Sequence, residues 1–300
     1  MRIVTFNVNG IRAATRRGFT DWLSEAQADV IALQEVRCRA ADMPDSFGDY
    51  HVSYSQGAFA GRNGVAVLTR QEPEAVRTWD GVALHVRGIE QSEIETPNDL
   101  ELAEELADFS DAGRWIEVDL ADAPVTVASL YLPKGDSPYP GGTRTKDAEA
   151  AKEKYDSKMK FLTGFRKQLD KMLARSEQTG RELVVVGDYN IAHTNLDIKN
   201  WRGNQKSSGF LPEEREWLST IISPEKLVDV SRELHPDQDG PYTWWSWRGR
   251  AYERDTGWRI DYQLATPKLA TQAEAAKVWR AESYETRVSD HAALAVDYAI

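Results

Sequence analysis

Short β-branched runs recur from the first residues of this chain to the last, and they restrict its fold more than any other feature. Ile3–Phe6, Val30–Leu33, Val65–Thr69, Ile116–Leu120, Val125–Leu132, Leu183–Val186, Tyr242–Trp247, Ile260–Ala265 and Ala292–Tyr298 each read as a buried strand. Helical stripes lie between them. Phe19, Trp22, Leu23 and Ala26 form one, and Tyr155, Met159, Leu162, Phe165, Leu169 and Met172 form a longer one. Trp217, Leu218 and Ile221 follow a Pro212-Glu213-Glu214 start that suits a helix N-terminus. Strands outnumber helices, and close neighbours such as Ile116–Leu120 and Val125–Leu132 suggest antiparallel pairing. Two mainly antiparallel sheets packed face to face, flanked by helices, would bury this pattern. The expected class is α/β (α+β), a four-layer α/β/β/α sandwich. No Pro- or Ser-rich linker and no short-period repeat divides the chain, so one domain over 1–300 is expected.

Cys38 is the one cysteine, so an intrachain disulfide is impossible and a Cys-based zinc site lacks ligands. No apolar run approaches the roughly 18–20 residues of a membrane span. Met1–Phe6 reads as a strand rather than a secretory leader, and a cytoplasmic enzyme or binding protein is the starting class. The net charge of −11 argues at first against a nucleic-acid partner. Its distribution weakens that objection. Gly88 to Gly113 carries nine acids and no Lys or Arg, most of the imbalance, and reads as a solvated loop with a short helix.

The informative pattern is where the strands stop. Ile3–Phe6 runs into Asn7, Val30–Leu33 into Gln34-Glu35, and Leu183–Val186 into Gly187-Asp188-Tyr189-Asn190. Asp261 follows Ile260, and Ser289-Asp290-His291 leads into the last strand. Singly, each is an ordinary strand end or turn. Together they are strand ends that one rim of a sandwich would gather. The inventory suits metal-assisted attack of water on phosphorus: hard oxygen ligands, neutral amides, and a His that an Asp can orient. Acyl transfer fits poorly, since there is no nucleophile-elbow Ser. Neither a phosphate-loop signature nor a dinucleotide fingerprint is present.

These pieces resemble a known family. Asn7-Val8-Asn9-Gly10-Ile11-Arg12, Leu33-Gln34-Glu35, Tyr131-Leu132-Pro133, Gly187-Asp188-Tyr189-Asn190-Ile191-Ala192-His193, Gly257-Trp258-Arg259-Ile260-Asp261-Tyr262 and Ser289-Asp290-His291 occur in that order. The chain resembles the exonuclease III family of abasic-site endonucleases, within the fold shared with deoxyribonuclease I. The resemblance spans essentially the whole sequence. It implies a Mg²⁺-dependent hydrolase, with Mn²⁺ as a substitute, acting on duplex DNA with abasic sites or damaged 3′ ends. It implies incision 5′ to the lesion, with 3′–5′ exonuclease and 3′-phosphodiesterase activity, by a monomer with no obligate protein partner and no membrane.

The resemblance also implies roles. Glu35 would be the principal metal ligand, with Asn7 and Asp290 near the metal. Asp188 would orient or deprotonate the attacking water, and Asn190 would hold that water or the phosphate. His291, paired with Asp261, would contact the scissile phosphate or move a proton, and the base is either Asp188 or His291. Tyr131 would touch the phosphate or the leaving oxygen. Asn9 stands where other family members have Asp, which removes a carboxylate from a two-metal scheme. Asp197 is expected to be structural, and His193, although it matches a family position, is not expected to be catalytic.

Four of the ten tryptophans fall between Trp244 and Trp258, interleaved with Arg248, Arg250 and Arg254, and Arg259 follows. Aromatics beside Arg suit nucleic acid, with Arg on phosphate and a ring on base or sugar. By resemblance Trp244, Trp258 and Ile260 would line the pocket for a sugar lacking its base. Lys134, Lys199, Arg202 and Lys206 are placed to grip phosphates. The Lys152-to-Lys171 run reads as a solvated helix face. The competing readings are a phosphoesterase for inositol phosphates, phospholipid head groups or small nucleotides, and a non-catalytic DNA-binding relative. The latter predicts loss of Glu35, Asp188, Asp261 or His291, and all four are present.

Overall fold

The computed structural model describes residues 1–300 apart from Ser46, Ala60, Gly88, Ile89 and Asn98. In chain order the strands are β1 (Arg2–Asn7), β2 (Val30–Gln34), β3 (His51–Ser55), β4 (Val65–Thr69), β5 (Ala75–Arg77), β6 (Ala83–Arg87) and β7 (Glu90–Ile94). They continue with β8 (Trp115–Asp119), β9 (Val125–Tyr131), β10 (Glu182–Asp188), β11 (Val228–Asp229), β12 (Asp261–Ala265), β13 (Ala273–Trp279) and β14 (Ala293–Tyr298). One eight-stranded sheet has the order β13-β14-β1-β2-β4-β3-β6-β7, and a six-stranded sheet has the order β11-β12-β10-β9-β8-β5. Pairing is antiparallel except for β1 with β2 and β9 with β10.

Side-chain alternation along the central strands builds the layers. In β1, Ile3 points between the sheets, where it joins Val30, Val67, Val127, Val184 and Val186. Val4 and Phe6 point the other way, onto Phe19 and Leu23 of helix α2 (Phe19–Ala26), which follows the short α1 (Ile11–Arg16). In β10, Val184 and Val186 face the inter-sheet core, whereas Leu183 and Val185 face helix α3 (Ala148–Thr179). The period-3.6 stripe Leu162, Phe165, Leu169 and Met172 covers that outer face. The Asp147 carboxylate caps α3 by accepting from Glu149 N–H at 2.9 Å, and Gly180 ends it in the left-handed region. The result is two mixed sheets with helices on both outer faces, the architecture expected from the sequence. The short helices α4 (Trp201–Asn204), α5 (Pro212–Ile221), α6 (Val230–Leu234) and α7 (Pro267–Ala270) complete it.

Three expectations are corrected. Tyr242–Trp247 is not a strand. It pairs only at Trp244, in isolated bridges to Trp258 and His291, because Tyr242 and Trp245 turn into a small aromatic cluster with Tyr252. The acidic block is not simply a loop with a short helix. Its first residues, Gly88 and Ile89, lie outside the described residues, as does Asn98, but Glu90–Ile94 forms edge strand β7 and Glu104–Phe109 forms a 3₁₀ turn. Charged residues along an edge strand discourage pairing with another chain. Nor is the Lys face of α3 wholly solvated: Lys158 is completely buried, and Lys160 and Lys167 pair with Asp108 and Glu105 of the acidic block. Among the described residues no helix is long and apolar enough to cross a membrane.

Candidate active site

Strand register sets the site. In the eight-stranded sheet Asn7 stands opposite Gln34, so β1 and β2 end together and Glu35 follows at once. In the six-stranded sheet Asp188 stands opposite Tyr131 on one side and Asp261 on the other. Gly187 is required there, because a Cβ would lie 2.0 Å from the Leu130 carbonyl oxygen. The two sheets therefore present Asn7, Glu35, Asp188, Tyr131 and Asp261 at one rim. Ser289 Oγ donates to the Asn7 carbonyl at 2.7 Å, which brings Asp290 and His291 to the same place.

The polar floor is tightly connected. Asn7 Nδ2 donates to Glu35 Oε1 at 2.8 Å and to Asp188 Oδ2 at 2.9 Å, joining the sheets. His291 Nδ1 lies 2.9 Å from Asp261 Oδ2, and His291 Nε2 faces Asp188 Oδ2 at 3.7 Å. The Asn190 backbone N–H donates to Asp188 Oδ1 at 2.9 Å, and Asn190 Nδ2 donates to the Leu132 carbonyl at 3.0 Å. Asn9, Glu35, Arg37 and Asn190 all hold positive φ, between 47° and 52°. Such backbone strain in non-glycine residues clusters where a site over-determines its geometry.

Burial raises the Asp188 carboxyl to about 7; Asp261 and Glu35 push the same way and His291 opposes them. Burial disfavours charge on His291, but Asp261 and Asp188 outweigh it and raise the imidazole to about 10. Asp261 and Asp188 thus bias the His291 ring toward its protonated form. Burial, with Glu35 and Asp188 nearby, lifts the Tyr131 phenol well above its ordinary value, so it stays a proton donor.

Above this floor opens a cleft of about 270 Å³. Trp244 and Trp258 meet edge to face at 6.1 Å and form one wall with Ile260, backed by Phe210 and Ile198. Trp244 Nε1 donates to Asp290 Oδ2 at 3.0 Å, and Asn9 Nδ2 donates to Asp290 Oδ1 at 2.8 Å. Lys134 Nζ lies 5.8 Å from the Trp244 ring and lines the cleft. Arg202 does not: it is exposed on α4, stacked on Trp201 at 4.3 Å. Arg259 is not available to DNA either. It is 1% exposed and bound to Asp197 and Asp229, while the neighbouring Trp258 and Ile260 face the cleft. Asp197, buried beneath that arginine, lies outside the cleft lining, and His193 pairs with Ser219 Oγ at 2.7 Å.

Two cationic lining residues escaped the sequence reading. Arg37, bonded to Glu35 Oε2 and 2.6 Å from Asn9 Oδ1, was signalled only by its place two residues past the strand-end acid. Arg144 sits on a loop tied back by the Asp136 carboxylate, which accepts from Arg144 N and Thr145 N at 2.8 and 3.0 Å. No sequence spacing marked it.

The donor set fits a hard divalent cation. Ligand atoms of Glu35, Asp188 and His291 lie within 4.8 Å of one another, all buried. Carboxylate and amide oxygens suit such an ion. His291 fits less well as a ligand, because one ring nitrogen is committed to Asp261 and the neighbouring carboxylates favour the protonated ring.

The comparisons with known proteins agree with this geometry. Residues 4–291 match the model of the Endonuclease/Exonuclease/phosphatase family. An exodeoxyribonuclease of Bacillus subtilis is 29% identical over 97% of this chain and 96% of its own length. Exodeoxyribonuclease III of Haemophilus influenzae is 30% identical over 90% of this chain and 89% of its own. The solved structure of an AP endonuclease from Archaeoglobus fulgidus superposes with a TM-score of 0.73 at 26% identity, covering 100% of both chains. Matched from its first strand into its last motif, the chain belongs to the endonuclease/exonuclease/phosphatase family, in the branch of exodeoxyribonuclease III and the AP endonucleases.

Proposed function

We propose that this chain is a Mg²⁺-dependent DNA-repair phosphodiesterase that incises duplex DNA 5′ to an abasic site, leaving a 3′-OH and a 5′-deoxyribose phosphate. The same site would trim 3′ ends as a 3′–5′ exonuclease and 3′-phosphodiesterase. One observation carries the reading: a buried carboxylate, imidazole and phenol floor lies beside an apolar wall of Trp244, Trp258 and Ile260. An extruded sugar without its base costs little unstacking and needs an apolar seat. The names of the relatives, nucleases and AP endonucleases, support it.

In this reading Glu35 holds the cation, with Asn7 and Asp290 close by. When bound, Mg²⁺ supplies Lewis-acid polarisation of a phosphoryl oxygen. Asp188, oriented by the Asn190 and Asn7 donors, accepts the proton of the attacking water. With Asp261 and Asp188 favouring its protonated form, His291 would donate from Nε2 to a phosphate oxygen while Asp261 fixes its ring. That division makes Asp188 the base. Tyr131 donates its phenol to the phosphate or the leaving oxygen, and Asn190 helps to hold the phosphate or the attacking water. Lys134 grips a phosphate at the cleft, and Arg202 one further along the duplex. The chain acts as one catalytic domain and as a monomer.

The test is a labelled duplex with one abasic analogue, incubated with Mg²⁺ or with chelator, beside an intact duplex. Metal-dependent incision 5′ to the lesion is expected. Gradual 3′ shortening of both duplexes would make the protein chiefly an exonuclease. No cleavage of either would shift the weight to inositol phosphates, phospholipid head groups and small nucleotides. Glu35→Ala is expected to raise the Mg²⁺ concentration for half-maximal cleavage by about tenfold or more, with an unchanged melting temperature. A metal titration of wild type and variant reads this directly.

A further inference from the structure

We propose that Lys158, on α3 and outside the cleft lining, is a positioning residue for Asp188 and Asn190, a role that rests on the nuclease reading above. Its side chain is fully buried, as is that of Glu214 on α5, and their charged atoms lie 2.7 Å apart. Lys158 Nζ also donates to the Asn190 carbonyl at 3.0 Å and to the Lys134 carbonyl at 3.4 Å. Three donors thus meet three acceptors.

Those acceptors belong to three segments that form the cleft. Asn190 stands two residues past Asp188, and Lys134 three past Tyr131. Glu214 reaches the third segment: its Oε2 accepts from Gly209 N at 2.6 Å and Leu211 N at 3.1 Å. Gly209 packs beneath Trp258, where a Cβ would lie 3.2 Å from the ring. Ser208 Oγ closes the circuit by donating to the Lys134 carbonyl at 2.8 Å. The lysine stem runs directly under the 134–135 turn, since a Cβ on Gly135 would come within 2.7 Å of Lys158 Cδ.

Asn190 holds φ 49°, a strained value for a residue with a side chain, and its N–H carries Asp188 Oδ1. The ammonium anchors the Asn190 carbonyl, and so the peptide that follows Asn190. Released, that peptide would turn about the Asn190 Cα, φ would relax from 49°, and the N–H on the other side of the Cα would lose its aim at Asp188 Oδ1. Stability alone explains the arrangement poorly. Desolvating two buried charges cancels most of their attraction, and neutral replacements of both are often as stable. Direction is what the pair supplies.

The test is the double variant Lys158→Met with Glu214→Gln, assayed beside wild type on an abasic duplex. Methionine keeps the stem volume, and glutamine keeps an acceptor for the Gly209 and Leu211 amides. The expected result is a cooperative melt, duplex affinity in chelator within about threefold, and kcat lower by about tenfold or more with little change in KM. A merely structural pair would lower the folded fraction and leave kcat per folded molecule alone. A kcat per folded molecule within about twofold of wild type overturns the proposal. Should the double variant not fold, Glu214→Gln alone decides. Its amide N–H₂ would face the ammonium, and a kcat loss of about threefold or more is expected; a wild-type kcat overturns the proposal. Failure of wild type to cut the abasic duplex, seen before any variant is assayed, would instead remove the nuclease reading itself.

Discussion

Asp188→Asn lowers kcat by about 10²–10⁴, while abasic-duplex affinity in chelator stays near wild type. The substitution removes a proton acceptor and almost no volume. The Asn190 backbone N–H keeps an oxygen to bond, and the Asn7 amide loses only one of its two carboxylate partners. The pH dependence separates this from a general loss of structure. Burial raises the Asp188 carboxyl, so in wild type the rate falls as pH drops and that carboxylate is protonated. The variant's residual rate lacks this acidic limb. Single-turnover cleavage across pH, with binding measured separately, checks both parts. A variant that cut at the wild-type rate with Mg²⁺ would remove Asp188 from the chemistry.

Arg259→Met destabilises the fold by about 3–5 kcal/mol, the cost of stranding buried carboxylates. Arg259 Nε lies 2.6 Å from Asp197 Oδ1, and its Nη1 and Nη2 grip Asp229 at 3.0 and 2.7 Å. Arg232 also pairs with Asp197, so Asp229 is left the more exposed to the loss. Burial pushes the Asp197 carboxyl up, but Arg259 and Arg232 reverse this and hold it well below the usual carboxylate range. A depressed folded-state pKa stabilises the protein above the unfolded value of about 3.9, and this contribution is lost as pH falls through the folded one. Denaturant unfolding of wild type should therefore weaken below about pH 4, and Arg259→Met should flatten that dependence. Equal stabilities at neutral pH would show that the network does not carry the loop.

Much of this was legible in the sequence, for a physical reason. Strands buried on both faces, such as Val65–Thr69 and Leu183–Val186, are continuous apolar runs and announce themselves. Other strands do not: Ala83–Arg87 and Ala273–Trp279 are partly exposed and mix polar and small residues, and His51–Ser55, although buried, alternates polar with apolar residues. Tyr242–Trp247 had strand composition but too few pairing partners, since its rings are spent on side-chain clusters. The candidate residues Asn7, Glu35, Asp188 and Asp261 could be picked out because the sheets put them at strand ends. Arg144 was not, because the Asp136 loop folds it back over the cleft. The roles of Arg259 and Lys158 were hidden for the opposite reason: a buried charge looks like a surface charge until its partners, here Asp229 and Glu214, are brought to it by the fold.

The Asn7 bridge between Glu35 and Asp188 ties the candidate site to the docking of the two sheets. Asn7 and Glu35, with Asp290 and His291, belong to the eight-stranded sheet or its approaches. Asp188, Tyr131 and Asp261 belong to the six-stranded one. Neither sheet alone holds the whole candidate set, and Ser289-Asp290-His291 is the last of its parts along the sequence. In the proposed mechanism, a copy whose sheets have not docked lacks part of the cleavage apparatus. On that reading, activity depends on sheet packing, because the Asn7 bridge to Glu35 and Asp188 exists only when the two sheets are docked.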